Sequence, residues 1–130
     1  MKKLRYLILG IALLTSVSVW SQEINQDVDA KTFKALMTKS NVIIDLRTPN
    51  EIKTKGKIAG AIEIDFLAID AEEKIKKLDK NKTYMIYCAG GGRSSDCKDL
   101  MVKERFKNII HLTKGFDDWK KQGFEVELVK

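Results

Sequence analysis

Apolar positions along this chain switch between a helical and a strand period, and the switching predicts an alternation of elements. Ala30, Phe33, Leu36 and Met37 recur at helical spacing, with Asp29 at the N-cap position before them. Val42-Ile43-Ile44-Asp45-Leu46 follows as a nearly continuous apolar run, which predicts a strand covered on both faces. Thr48-Pro49-Asn50-Glu51 carries a capping box: Thr48 as N-cap, Pro49 as first helical residue, Glu51 as reciprocal partner. Gly56 and Gly60 break up that short helix, Ala61 to Ile64 alternates as a strand, and Glu72 to Leu78 reads as a charged helix with Ile75 and Leu78 inward. Thr83 to Tyr87 predicts another buried strand. A helix from about Ser94 to Arg105 then buries Cys97, Leu100, Met101 and Phe106, and Ile109 to Leu112 supplies one more strand. Phe116 and Trp119 mark a one-sided helix stopped at Gly123, with Lys120 and Lys121 at its negative end. Val126, Leu128 and Val129 give a weak terminal strand.

This order implies one α/β domain, with a mainly parallel central sheet of about four or five strands and helices on both faces. There is no internal repeat and no Gly/Ser linker. Ligands of such sheets sit beyond the carboxyl ends of the strands, so the residues immediately after each strand are the ones to weigh.

The first residues differ in kind. Lys2, Lys3 and Arg5 precede an uncharged, mostly apolar run from Tyr6 to Val19, the order of a secretory signal. Cleavage is expected after Ser21, or alternatively after Ser18, giving a signal peptide over residues 1–21 and a domain over 22–130, exported to the periplasm or secreted. The apolar run is short for a membrane anchor and is diluted by Thr15, Ser16 and Ser18, so no stable membrane span is expected after cleavage.

Composition, 44% hydrophobic and 32% charged, is that of a globular protein with a dense charged surface. The formal net charge of +6 falls to +3 without Lys2, Lys3 and Arg5. The remaining lysines alternate with acids, as in Glu72-Glu73-Lys74, which describes a solvated helix face and not a nucleic-acid footprint. Two cysteines, Cys88 and Cys97, are too few for a disulfide scaffold, and no spacing suits a metal site or calls for a cofactor.

The chemistry concentrates in Tyr87-Cys88-Ala89-Gly90-Gly91-Gly92-Arg93-Ser94, a buried strand running into a glycine-rich loop and a helix. Three successive glycines let the backbone curl with N–H groups turned inward, and the following helix aims its unsatisfied amides at the same place. Ala89, Gly90, Gly91, Gly92, Arg93 and Ser94 thus form an anion cradle around Cys88, with Arg93 adding a positive charge. A free thiol titrates near about 8.5, and such surroundings favour its thiolate and equally a persulfide, Cys–S–S⁻. The reading requires the Cys88 side chain to be reachable and to face the loop amides. No lysine follows the glycines, which sets the loop apart from a P-loop.

This loop resembles the Cys-x-x-Gly-x-Arg-Ser segment of the rhodanese family, matched by Cys88, Gly91, Arg93 and Ser94. Three further stretches resemble family landmarks: Ile44 to Glu51, Gly56 to Ile62, and Leu112 to Trp119. The resemblance implies the three-layer rhodanese-like fold and a sulfurtransferase. In it, Cys88 takes sulfane sulfur from a donor such as thiosulfate and passes it to cyanide or a thiol. A non-enzymatic persulfide carrier or protein-binding module, with a partner protein as acceptor, is the alternative. A Cys-dependent phosphatase or arsenate-handling enzyme is a weaker one, because related dual-specificity phosphatases have a loop one residue longer than the four residues between Cys88 and Arg93. Lys57 and Lys114 depart from the family pattern, standing where a His and a Gly are usual.

By the same resemblance Asp45 and Arg47 support the site, Asp45 through an ion pair with Arg93 or Arg47. Cys97 reads as a small core residue more readily than as a resolving thiol. His111 is expected at a strand end, exposed or half-buried, and without a role as general base. A monomer is the default expectation.

Overall fold

The structure, a computed structural model, describes residues 14–16 and 23–130. The signal segment expected over 1–21, with its cleavage point, falls outside the described residues apart from 14–16.

Among the described residues ten elements alternate: β1 (Ile24–Val28), α1 (Ala30–Leu36), β2 (Val42–Asp45), α2 (Pro49–Lys55), β3 (Ile62–Glu63), α3 (Ala71–Lys76), β4 (Thr83–Tyr87), α4 (Gly92–Lys103), β5 (Asn108–Leu112) and α5 (Gly115–Lys121). The strands form one sheet in the order β1-β5-β4-β2-β3, and every ladder between them is parallel. The expected α/β class and central sheet are therefore present. The rhodanese-like fold itself is taken up below with the comparisons.

Local chemistry sets the element ends. Asp29 caps α1 by accepting from Thr32 N at 2.8 Å. The α2 capping box is complete, Thr48 Oγ1 accepting from Glu51 N and the Glu51 carboxylate from Thr48 N.

Side chains alternate across each strand, so the sheet has two cores. On one face Ile43, Met85, Tyr87, Ile110 and Leu112 meet Phe33 of α1 and Phe116 and Trp119 of α5. On the other, Ile44, Tyr84, Ile86, Cys88 and Ile109 meet Ile75 of α3 and Cys97 and Met101 of α4. Each large apolar side chain buried in full contributes about 1.5–3 kcal/mol, which is why the three layers hold together. The period of two also puts Cys88 and His111 under α4, on the face away from Asp45 and Tyr87.

Two features differ from the sequence expectation. β1 stands where no strand was expected: of Ile24–Val28 only Val28 is buried, and the strand is specified by its ladder to β5 and not by an apolar pattern. Conversely, Val126, Leu128 and Val129 form no strand. They remain partly or largely exposed, and that segment makes a single antiparallel bridge, Lys57 to Glu127.

Candidate active site

The loop between β4 and α4 owes its curl to two glycines with positive φ. Gly91, at +107°, is the N-cap of α4, and a Cβ there would collide with the Thr113 carbonyl oxygen. Gly115, at +70°, passes so close to the Ala89 carbonyl that it too excludes a side chain. The start of α5 consumes the loop carbonyls: Phe116 N donates to Cys88 O (2.8 Å) and Asp117 N to Ala89 O (3.0 Å). With those carbonyls turned outward, amides turn inward. Gly91 N donates to Cys88 Sγ at 3.1 Å and Ser94 N at 3.4 Å, and Ser94 Oγ lies 3.3 Å from the same sulfur.

The side chain thus faces the amides as the sequence reading requires, but its other requirement, a reachable sulfur, is not met by the side chain itself. Cys88 keeps only 1% of its surface accessible, and it sits at the floor of the loop. Gly90 and Gly92 are exposed, and a Cβ built at either meets no heavy atom within 4 Å, so the loop borders open space there.

Arg93 does not aim at the sulfur. Its guanidinium makes a two-pronged pair with the Glu51 carboxylate, 2.8 Å on each side, and this replaces the free positive charge expected at the loop. The hydrogen bond from Arg93 holds the Glu51 carboxyl well below its ordinary range, at about 2, assisted by the Thr48 donors. The Arg93 guanidinium is raised in return, first by Glu51 and more weakly by the charge of Cys88 nearby. Glu51 therefore both closes the α2 cap and clamps that helix to the loop.

Asp45 pairs with Arg47, the second of the two partners open in the sequence. Arg47 donates through Nε (3.0 Å) and Nη2 (2.7 Å) to its carboxylate, and Nη2 also reaches Gly56 O at 2.7 Å. Tyr87 OH donates to Asp45 at 2.5 Å and accepts from Ile58 N. Burial first, and then the Asp45 charge, push the Tyr87 phenol far above its usual range. The Arg47 guanidinium lies 3.9 Å over the Phe116 ring. This buried cluster touches the residue whose amide holds Cys88 O and is remote from Sγ.

A family model of the rhodanese-like domain matches residues 29–122. The chain belongs to the rhodanese-like domain family. A protein of Schizosaccharomyces pombe named as a candidate mitochondrial thiosulfate sulfurtransferase is 30% identical over 92 residues, covering 62% of this chain and 64% of that one. The thiosulfate sulfurtransferase GlpE of Coxiella burnetii is 29% identical over 86 residues, covering 65% and 78%. The chain spans 64% of the Schizosaccharomyces pombe protein and only 20% of a longer mycobacterial adenylyltransferase/sulfurtransferase, less than two thirds of either. Among solved structures, a rhodanese-related protein of Thermoplasma volcanium superposes with a TM-score of 0.71 at 27% identity, covering 81% of this chain and all of that one. The rhodanese-like fold expected from the motifs is thereby established.

Within this rhodanese-like domain, the two departures from the family landmarks have ordinary surroundings. Lys57 donates to Ala61 O at 3.1 Å and lies 3.7 Å from Glu63, and Lys114 is exposed at the start of α5. Cys97 is fully buried, and burial pushes its thiol up to about 12. A cleft of about 480 Å³ lined by Met37, Asn41, Ile43 and Ala59 lies around the start of β2, at the opposite end of the sheet from Cys88.

His111 corrects the sequence reading most. It is 3% exposed, neither exposed nor half-buried, and its Nε2 lies 2.7 Å from Ser94 Oγ while Nδ1 lies 3.0 Å from Asp27 Oδ1. Lys98 Nζ donates to the same Asp27 oxygen at 2.8 Å. No local pattern in the sequence signals this arrangement, because Asp27 stands directly beside His111 only through the register of the β1–β5 ladder.

Proposed function

We propose that this chain is a sulfurtransferase in which Cys88 carries sulfane sulfur as a persulfide. The observation that carries the reading is the pair of amide donors, from Gly91 and Ser94, converging on a sulfur at the carboxyl end of a central strand. The Cys88 thiolate attacks the outer sulfur of a donor such as thiosulfate. A Cys–S bond forms as the donor's S–S bond breaks, and sulfite leaves with the electron pair. Cyanide or a thiolate then takes the outer sulfur and returns Cys88 as thiolate.

Burial of the thiol bears on this reading, because a sulfur out of reach transfers nothing. The open space beside Gly90 and Gly92 supports approach through the loop by a small anion. Ala89, Gly90 and Gly91 offer no recognising groups, so donor and acceptor are chosen at the rim or by a partner protein. Treatment with thiosulfate is expected to add about 32 Da, one sulfur, to Cys88, and cyanide to release it as thiocyanate, with both lost in Cys88→Ser. Labelling without turnover would instead indicate a carrier that hands its sulfur to a partner protein. An unlabelled wild-type protein would defeat the proposal, and aryl phosphate hydrolysis dependent on Cys88 would transfer the assignment to a phosphatase.

The basic and then apolar start of the chain supports export. The expected outcome is a mature protein beginning at Gln22 outside the cytoplasm, checked by fractionation and N-terminal sequencing; recovery of Met1 on the cytoplasmic protein would overturn it.

A further inference from the structure

Asp27, His111, Ser94 and Cys88 form a continuous hydrogen-bonded row, buried from His111 inward and exposed at Asp27, that the two-step sulfur cycle does not itself require. The row exists because β1, β5 and β4 are neighbours and because α4 lies over the face that carries Cys88 and His111. Ser94 is fully buried and His111 nearly so.

Donor and acceptor rules give the row a direction. The Asp27 carboxylate can only accept, so His111 Nδ1 carries its proton and the neutral ring presents Nε2 as an acceptor. Ser94 Oγ then donates to Nε2, its shortest contact at 2.7 Å, in preference to Gly91 O at 3.2 Å. A Ser94 hydroxyl pointing at His111 presents a lone pair to the Cys88 S–H. Once Cys88 loses its proton the reverse arrangement is needed, with Ser94 O–H turned to the thiolate. That leaves Nε2 facing a hydroxyl oxygen that can only accept, and the ring must hold a proton there. Thiol and thiolate thus call for opposite directions of the row, with the same number of protons and one of them moved from sulfur to the ring.

We propose that Ser94 and His111 relay the Cys88 proton: it passes to Ser94 Oγ as the Ser94 proton passes to His111 Nε2, leaving a thiolate and an imidazolium held by Asp27. The persulfide-forming attack begins from that thiolate, so the proposal rests on the sulfurtransferase reading, and Ser94 and His111 are positioning residues for it. The proton returns along the same path when Cys88 is restored as a thiol, and no oxidant or further reactant is needed.

The charged and titratable groups facing His111 are Asp27 from β1, Lys98 and Asp99 from α4, and Cys88 through Ser94. Burial depresses His111 below its ordinary range against the opposing pull of Asp27, so the ring rests neutral, and its imidazolium has to be held by the charges of Asp27 and of the thiolate formed with it. Asp27 stays a carboxylate, held low first by its hydrogen bond from Lys98.

The test is the rate of Cys88 alkylation by iodoacetamide against pH, read by peptide mass spectrometry on the full chain. It reports the thiolate without requiring sulfur transfer. The profile of His111→Gln is expected to move to higher pH by about one unit, which lowers the rate near pH 6.5 about tenfold while the high-pH plateau persists. Asp27→Asn is expected to move it the same way by less. The Asp27 side chain is 52% exposed, so this variant decides the matter if His111→Gln does not fold. Superimposable profiles, or a fall by the same factor at every pH, would overturn the relay. Thiosulfate labelling of the same samples separates the two claims. A displaced profile without a sulfur adduct sinks sulfur transfer alone, and an adduct with an unmoved profile sinks the relay alone.

Discussion

Gly91 adopts a φ of +107° against the Thr113 carbonyl, and its own N–H is the shortest amide contact to Cys88 Sγ. One residue therefore supplies both the bend and a donor. Gly91→Ala should strain the backbone by about 1–3 kcal/mol and displace that donor, and persulfide formation is expected to fall at least about tenfold, followed as sulfur added per minute by intact mass. The two cysteines should respond oppositely. Cys97 is shut in the core with its thiol pushed up to about 12, so almost none of it ionises near neutral pH. Cys97→Ala should leave sulfur loading of Cys88 within about twofold while costing about 1 kcal/mol of stability for the lost volume, a difference visible by comparing loading with urea unfolding. Loading abolished in Cys97→Ala would mark it as a participant.

At the scale of elements, the loop is held from two sides: α2 through Glu51 to Arg93, and α5 through the Phe116 amide to Cys88 O. Behind α5 stands the buried pair of Asp45 and Arg47, with the guanidinium stacked on Phe116. Removing one member strands the other charge in the core. Asp45→Ala is expected to cost about 3–5 kcal/mol, read as the shift in urea midpoint, whereas an exposed pair such as Lys74–Asp70 should give less than about 0.5 kcal/mol.

The capping box, the two-sided strands β2, β4 and β5 and the glycine loop were legible in the sequence because each follows from local spacing, whereas the ion pair of Asp45 came from the family resemblance, which left Arg93 and Arg47 both open. β1 was not legible. Ile24, Asn25, Gln26 and Asp27 are exposed residues on an edge strand, where only the ladder to β5 imposes order. Without β1 there is no place for Asp27 beside His111, so the hydrogen-bonded row behind Cys88 was out of reach of pattern reading. Arg93 was misjudged for a related reason. The partner that turns it from the sulfur, Glu51, is 42 positions away and had been assigned only its local cap.

For the whole molecule His111 and Glu51, both depressed in the folded state, act in one direction, and acid should unfold the protein in two stages. His111 is depressed in the folded state, so the unfolded chain binds its proton first; stability is complete above the unfolded value of about 6.5 and begins to fall as pH drops through it. Glu51 is depressed to about 2 from an ordinary value of 4.5. Its contribution is complete above the ordinary value and is lost as pH falls from there towards 2. The side chains of Glu51 and Arg93 are 27% and 22% exposed, so solvent screening leaves on the order of 1–2 kcal/mol for this second stage. Urea midpoints measured between about pH 3 and 8 should therefore decline first just below pH 6.5 and again below about 4.5. His111→Gln should flatten only the upper decline and Glu51→Gln only the lower, since the two groups lie in separate hydrogen-bond networks. A midpoint independent of pH between 5 and 7 in the wild type would mean that His111 keeps its ordinary titration when folded, and the pH dependence would then have to come from the carboxylates alone.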